Sequence, residues 1–119
     1  MTARYAIDQG DLVISETSIE VWRGRVDDCD VKHVVPLPDG DALVLLNGWC
    51  REGRIRPRRN LLRVGHKGSV MWRAEVRGGN YHVYSSLDIV DGIVAAHYDD
   101  WLIKLDPATG LILEEIYVK

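Results

Sequence analysis

The chain has 119 residues, of which 46% are hydrophobic and 28% are charged, and its net charge is −3 at pH 7. This composition is typical of a soluble globular protein and argues against a disordered polypeptide, and the length is sufficient for one hydrophobic core. The acidic net charge argues against nonspecific nucleic-acid binding. No apolar run approaches the roughly 20 residues that cross a bilayer, and residues 1–8 lack a hydrophobic signal core. We therefore expect a single domain over residues 1–119 in a cytoplasmic protein that has no membrane partner.

A period-two alternation of apolar and polar residues, rich in Val, Ile, Leu, Trp and Tyr, predicts strands along the chain. The cleanest alternation runs from Val70 through Trp72 to Val76. Residues 42–46 are apolar at every position, which predicts a central strand that is covered on both faces. Ten strands are predicted, at residues 11–15, 18–23, 31–36, 42–47, 60–65, 69–76, 86–90, 92–98, 101–105 and 111–117.

Turn-forming residues separate these strands. Gly supplies a positive φ, Pro presets φ, and Asp or Asn binds the local backbone. Turns are predicted at residues 38–40, 67–68, 78–80, 91–92 and 106–110. Frequent reversals between short strands predict an all-β fold, a curled antiparallel meander that forms an open barrel or a sandwich, with little or no helix.

The alternation also predicts which side chains fill the core. These are Val44, Leu46, Leu62, Val64, Val70, Trp72, Ile89, Val94, Trp101, Ile103, Leu105 and Leu113.

The chain contains an internal repeat. Residues 61–72 align with residues 102–113, each as a strand that ends in a basic–apolar pair, a turn and a returning strand. A weaker copy begins at Gln9, and the middle copy carries an insertion at residues 48–58. The segment from Trp101 to Leu113, with its Leu105-Asp106 strand end and Thr109-Gly110 turn, resembles the blade motif of quinoprotein-type β-propellers.

That resemblance implies blade-like hairpins and does not imply a quinone cofactor. A closed propeller needs at least four blades of four strands, and this chain has strands for two or three. The chain therefore either closes its sheet in another way or pairs with a second copy of itself.

A second resemblance is to small bacterial proteins of unassigned function. It rests on residues 59–64 (RNLLRV), followed by Gly68 and Trp72, and on the Leu105–Gly110 turn near the C-terminus. Some proteins of this kind act as immunity proteins for contact-dependent toxins. By that analogy, this protein would neutralise a bacterial toxin.

Local motifs for catalysis or metal binding are weak. The four histidines, His33, His66, His82 and His97, lack metal-ligand spacing, and neither cysteine lies in a Cys-x-x-Cys pair. We therefore expect no metal, no cofactor and no catalytic residue. Cys29 and Cys50 are expected to be reduced thiols, and a disulfide stays open if the two residues meet on neighbouring strands.

The strongest indication of function is the arginine-rich insertion. Arginine binds carboxylates and phosphates through paired hydrogen bonds, and Arg and Trp are enriched where proteins bind one another. The alternative is a solvated hairpin tip. The predicted partner-binding residues are Trp49, Arg51, Arg54, Arg56, Arg58 and Arg59.

These observations favour a non-enzymatic module that binds another protein with an acidic patch, for example a toxin domain. Two alternatives stay open. One is an enzyme or small-molecule-binding protein with a site around His82, His97 and Tyr98; the other is a structural fragment that completes a propeller-like sheet by self-association.

Overall fold

The computed structural model describes residues 3–50, 59–77 and 83–119, with the backbone alone at residues 48–50. In this part of the chain there is no helix, and therefore none that could span a membrane. The described strands form three antiparallel sheets, each running up and down in chain order, and none closes into a barrel. The all-β meander predicted from the sequence is thus confirmed.

The first sheet contains β1 (Ala3–Asp8), β2 (Asp11–Glu16) and β3 (Ile19–Gly24). The second sheet contains β4 (Cys29–Pro36), β5 (Ala42–Cys50), β6 (Leu61–Val64) and β7 (Val70–Arg73). The third sheet contains β8 (Asp88–Val90), β9 (Ile93–Tyr98), β10 (Trp101–Leu105) and β11 (Ile112–Tyr117).

All ten predicted strands are present within the described ranges, with ends that differ by a few residues. Two differences matter. The strand β1 was not predicted, and it pairs along its whole length with β2. The strand β5 continues to Cys50, so Gly48 and Trp49 belong to a strand and not to the insertion.

The second sheet lies between the other two because its central strand is apolar on both faces. Ala42, Val44 and Leu46 pack towards the first sheet, whereas Leu43 and Leu45 pack towards the third. All five side chains are buried. This confirms the prediction for residues 42–46, and it divides the interior into two cores on either side of one sheet.

The last strand of each sheet carries a β-bulge at the same place. Val21, Met71 and Leu113 are each skipped in the pairing with the preceding strand, and all three are largely exposed. A bulge leaves one residue out of the alternation. The prediction that Leu113 is a core residue is therefore wrong; this side chain is 56% exposed.

The bulges also correct the alignment of the repeat. Trp72 lies opposite Arg63, and the residue that lies in the same way opposite Lys104 is Glu114 rather than Leu113. The shift arises because the turn of the third sheet, between Leu105 and Ile112, is one residue longer than the turn between β6 and β7. In structure, Trp22, Trp72 and Glu114 are therefore equivalent positions.

Candidate functional site

Neighbouring sheets are joined by a tryptophan that packs on a glycine turn. Trp72 of the second sheet lies against Gly110, which has a φ of 75° and ends the turn of the third sheet. The indole Nε1 donates a hydrogen bond of 2.9 Å to the carbonyl oxygen of Pro107 in that turn. A Cβ atom at Gly110 would lie 2.5 Å from the Trp72 ring, so only glycine permits this contact.

The first and second sheets are joined in the same way. Trp22 of the first sheet lies against Gly68, whose φ is 84°, and a Cβ atom there would lie 2.4 Å from the indole ring. Tyr5 adds a hydrogen bond from its hydroxyl to the carbonyl oxygen of Gly40, and its pKa rises to about 12, chiefly because burial disfavours the phenolate. The tryptophan contact is therefore a repeated device that orders the stack of sheets.

Arg63 reinforces the junction between the second and third sheets. Its guanidinium donates to Asp41 (2.9 Å), to Asp39 and to the carbonyl oxygen of Pro107 (2.8 Å). The pKa of the Asp39 carboxyl is lowered, first because the backbone N–H of Asp41 donates to it and then because of the Arg63 charge. A single arginine thus binds a turn of its own sheet and a turn of the next.

A buried asparagine forms a second link between these sheets. Asn60 is 1% exposed, and its Nδ2 donates to the carbonyl oxygens of Leu46 and Tyr84 at 2.9 Å each. Its Oδ1 accepts a 2.8 Å hydrogen bond from the backbone N–H of Tyr84. The Tyr84 hydroxyl donates to the carbonyl oxygen of Glu75, and burial raises the pKa of that hydroxyl above its ordinary value.

The stack ends at the third sheet. There the position equivalent to Trp72 is Glu114, and its carboxylate lies 3.6 Å from the ammonium group of Lys104. Both side chains belong to the face that points away from the second sheet, which we call the outer face. Its centre is an open groove of about 310 Å³, the third-sheet groove, lined by Val90, Asp91, Ile93, Ala95, Leu102 and Lys104.

The side chains that line the groove lie on the face of the third sheet that no other described sheet covers. In β9 the buried residues Val94, Ala96 and Tyr98 point inward, and Ile93 and Ala95 alternate with them. Val90 is 53% exposed. An uncovered apolar surface on a folded protein is a frequent feature of binding sites.

The outer face of the first sheet is different. Arg23 donates to Asp8 at 2.8 Å and to Glu20 at 3.1 Å, and all three side chains are exposed. Charged side chains that are already paired on an open surface are typical of a solvated face. Of the two end faces of the stack, the third sheet therefore offers the more apolar one.

The predicted arginine site is only partly described. Arg51, Arg54, Arg56 and Arg58 lie outside the described residues, as does the side chain of Trp49. Arg59 is described, and its guanidinium donates to the carbonyl oxygens of Ala74 (3.1 Å) and Arg73 (2.7 Å). These contacts give Arg59 a structural role within the second sheet, and its role in partner binding stays a prediction.

Of the alternative site around His82, His97 and Tyr98, the structure describes only two residues. His82 lies outside the described residues, and His97 and Tyr98 are consecutive on β9, so the first is exposed and the second is buried. The imidazole Nδ1 of His97 lies 2.9 Å from Oγ of Ser86, which also accepts the backbone N–H of His97. This arrangement anchors Ser86 to β9.

Within the described ranges no group of three acidic, histidine or cysteine side chains is placed to hold a metal ion.

Sequence reasoning missed the residues that join the sheets. Asn60 gave no signal because it precedes an ordinary apolar strand, and only the buried carbonyls around it explain an amide there. The packing of Trp72 on Gly110 could not be predicted either, since the two residues are 38 positions apart in the sequence.

No protein-family model matches the chain, and no curated protein sequence matches it. Among solved structures, a protein of unknown function from Bacteroides caccae is similar in fold over 99% of this chain, with a TM-score of 0.57 and 16% sequence identity. The match covers 43% of that protein, so this chain spans less than half of its length. The similarity shows the fold alone.

Proposed function

We propose that this protein is a non-catalytic module that binds a protein partner and that the third-sheet groove is its binding surface. The observation that carries the proposal is the uncovered apolar centre of the third sheet, at the end of a stack whose central sheet is covered on both faces. Burying such a surface is favourable by about 25 cal/mol for each Å² of apolar area removed from water.

The partner that this face fits is a second copy of the chain. Lys104 and Glu114 lie side by side on the outer face next to the groove, so this face carries both signs of charge beside its apolar side chains. A face with both charges beside an apolar centre is self-complementary, as the interface of a two-fold dimer must be. On the outer face of the first sheet, Arg23 is instead paired with Asp8 and Glu20 of its own sheet.

The size of the face predicts a weak dimer. Four strands spaced by about 4.8 Å and about 17 Å long cover roughly 300 Å² per copy. The two copies together would bury about 600 Å² as a flat projection, against about 1,200 Å² or more in a stable complex. We expect a dissociation constant between about 10 μM and 1 mM.

Blade-like sheets are part of this proposal. Three up-and-down sheets stacked in chain order are compatible with blades of a propeller-like assembly, and the similar protein from Bacteroides caccae has a chain more than twice as long. Stacks of this kind are extended by adding further sheets. A second copy would add three.

A charge in the groove tests the proposal. Leu102→Glu should remove self-association, because a carboxylate would be buried against the apolar centre of the other copy. Met71→Glu is the matched control, since Met71 is an exposed apolar side chain on another sheet. Sedimentation velocity should show a concentration-dependent shift for wild type and Met71→Glu and none for Leu102→Glu; equal behaviour of all three proteins would contradict the role of the groove.

A toxin-neutralising role remains a second form of the proposal, carried by the arginine-rich composition of residues 51–58. We expect the triple variant Arg54→Ser, Arg56→Ser, Arg58→Ser to lose an acidic protein partner that wild type retains in a pull-down from the native host. Arg59→Ser serves as the control for stability, because Arg59 binds backbone carbonyls of its own sheet. Equal recovery of that partner by the triple variant would remove the role of the segment.

A further inference from the structure

We propose that Cys29 and Cys50 form an intramolecular disulfide when the protein meets a small-molecule disulfide. The two residues are 21 positions apart in sequence, and the antiparallel pairing of β4 with β5 places them directly opposite each other. Residues directly opposite on antiparallel strands have Cβ atoms about 4.5–5.5 Å apart on the same face of the sheet. The inference is independent of the proposed binding function.

The backbone separation of a directly opposed pair suits a disulfide. Residues opposite each other on antiparallel strands have Cα atoms about 4.5–5.5 Å apart. That separation lies within the range of about 4.4–6.8 Å found for disulfides.

The pairing around the two cysteines is irregular, which gives the backbone room to adjust. The register shifts between Cys29 and Val31, and again between Val31 and His33. Irregular pairing lets a strand bend and twist locally.

The reaction is a thiol–disulfide exchange with a co-reactant such as oxidised glutathione. Cys29 lies in the core between the first and second sheets. One of the two protein thiolates bonds to one glutathione sulfur and releases the other glutathione as a thiolate, which takes up a proton. The remaining protein thiolate then bonds to the protein sulfur of this mixed disulfide and releases the second glutathione, so two protein thiols are oxidised and one glutathione disulfide is reduced to two thiols.

The bond would fix the start of the arginine-rich segment. Cys50 is the last residue of β5, and residues 51–58 follow it directly. Cys29 begins β4 and lies in the core. A covalent tie between them would anchor that end of the segment to the core and would close a loop in the unfolded chain, which stabilises the folded state.

Mass spectrometry of the whole protein tests the proposal. After equilibration of the folded protein with oxidised and reduced glutathione, we expect a product that has lost two hydrogen atoms in mass and carries no glutathione. Trypsin under non-reducing conditions should then yield a linked pair of peptides, residues 26–32 and 33–51. The oxidised protein should also have a higher urea midpoint than the reduced protein.

Single serine variants complete the test. Cys50→Ser should gain no intramolecular bond and should show the same urea midpoint in both redox buffers, and Cys29→Ser should stop at the mixed disulfide between Cys50 and glutathione. A wild-type protein that keeps both thiols, that accumulates only the mixed disulfide, or that links two chains to each other would overturn the proposal.

Discussion

Replacing Asn60 with alanine is expected to destabilise the protein by about 3–4 kcal/mol. The change removes three hydrogen bonds at a position that is 1% exposed. It leaves the N–H of Tyr84 and the carbonyl oxygen of Leu46 with one bond fewer in an interior that water does not reach. Because total stabilities of domains are about 5–15 kcal/mol, this single amide carries a large share of the fold.

The control for this prediction is a second asparagine, which lies next to one of the carbonyl groups that Asn60 binds. Asn47 is an exposed asparagine on β5, next to Leu46. Asn47→Ala makes the same chemical change and should alter the free energy of unfolding by less than about 0.5 kcal/mol. Urea unfolding measures both variants, and equal effects at the two positions would contradict the role given to the Asn60 amide.

Replacing Gly110 with alanine is expected to cost about 3–4 kcal/mol, from two causes. The first is the φ of 75°, which costs an L side chain about 1–2 kcal/mol. The second is the Cβ atom, which would lie 2.5 Å from the Trp72 ring and must displace it, with loss of the hydrogen bond to Pro107. Urea unfolding gives the sum of the two.

Gly92 separates the two causes. Its φ is 77°, and a Cβ atom there would meet nothing within 4 Å. Gly92→Ala should therefore show the cost of the backbone alone, about 1–2 kcal/mol. In a Trp72→Leu background the cost of Gly110→Ala should fall towards that value, because the ring is gone; an unchanged cost would mean that the tryptophan contact does not hold the two sheets together.

The sequence was informative wherever the structure follows from a local pattern. Residues 42–46 are apolar at each position, and burial on both faces follows from that alone. The turn at residues 106–110 was predictable from its Asp, Pro and Gly, and the backbone N–H of Gly110 does donate to the Asp106 carbonyl oxygen at 2.7 Å. The strand β1 escaped prediction because Ala and Asp, at Ala3, Ala6 and Asp8, are depleted in strands and only pairing with β2 makes the segment extended.

Features that depend on distant residues could not be predicted. The bulge at Leu113 displaced an apparently regular apolar residue into solvent, since bulges are set by pairing and not by composition. Arg59 was predicted to bind a partner, yet its guanidinium donates hydrogen bonds to the carbonyl oxygens of Arg73 and Ala74. The third-sheet groove joins residues from three strands, and nothing local showed that its face would be left uncovered.

The most direct test of the account is the molar mass of the wild-type protein, measured by static light scattering from about 10 μM to about 1 mM, the range in which a weak dimer would form. Self-association through the third-sheet groove predicts a mass that rises from 13.5 kDa towards twice that value as the concentration increases. A mass of 13.5 kDa throughout that range would contradict self-association through the outer face of the third sheet.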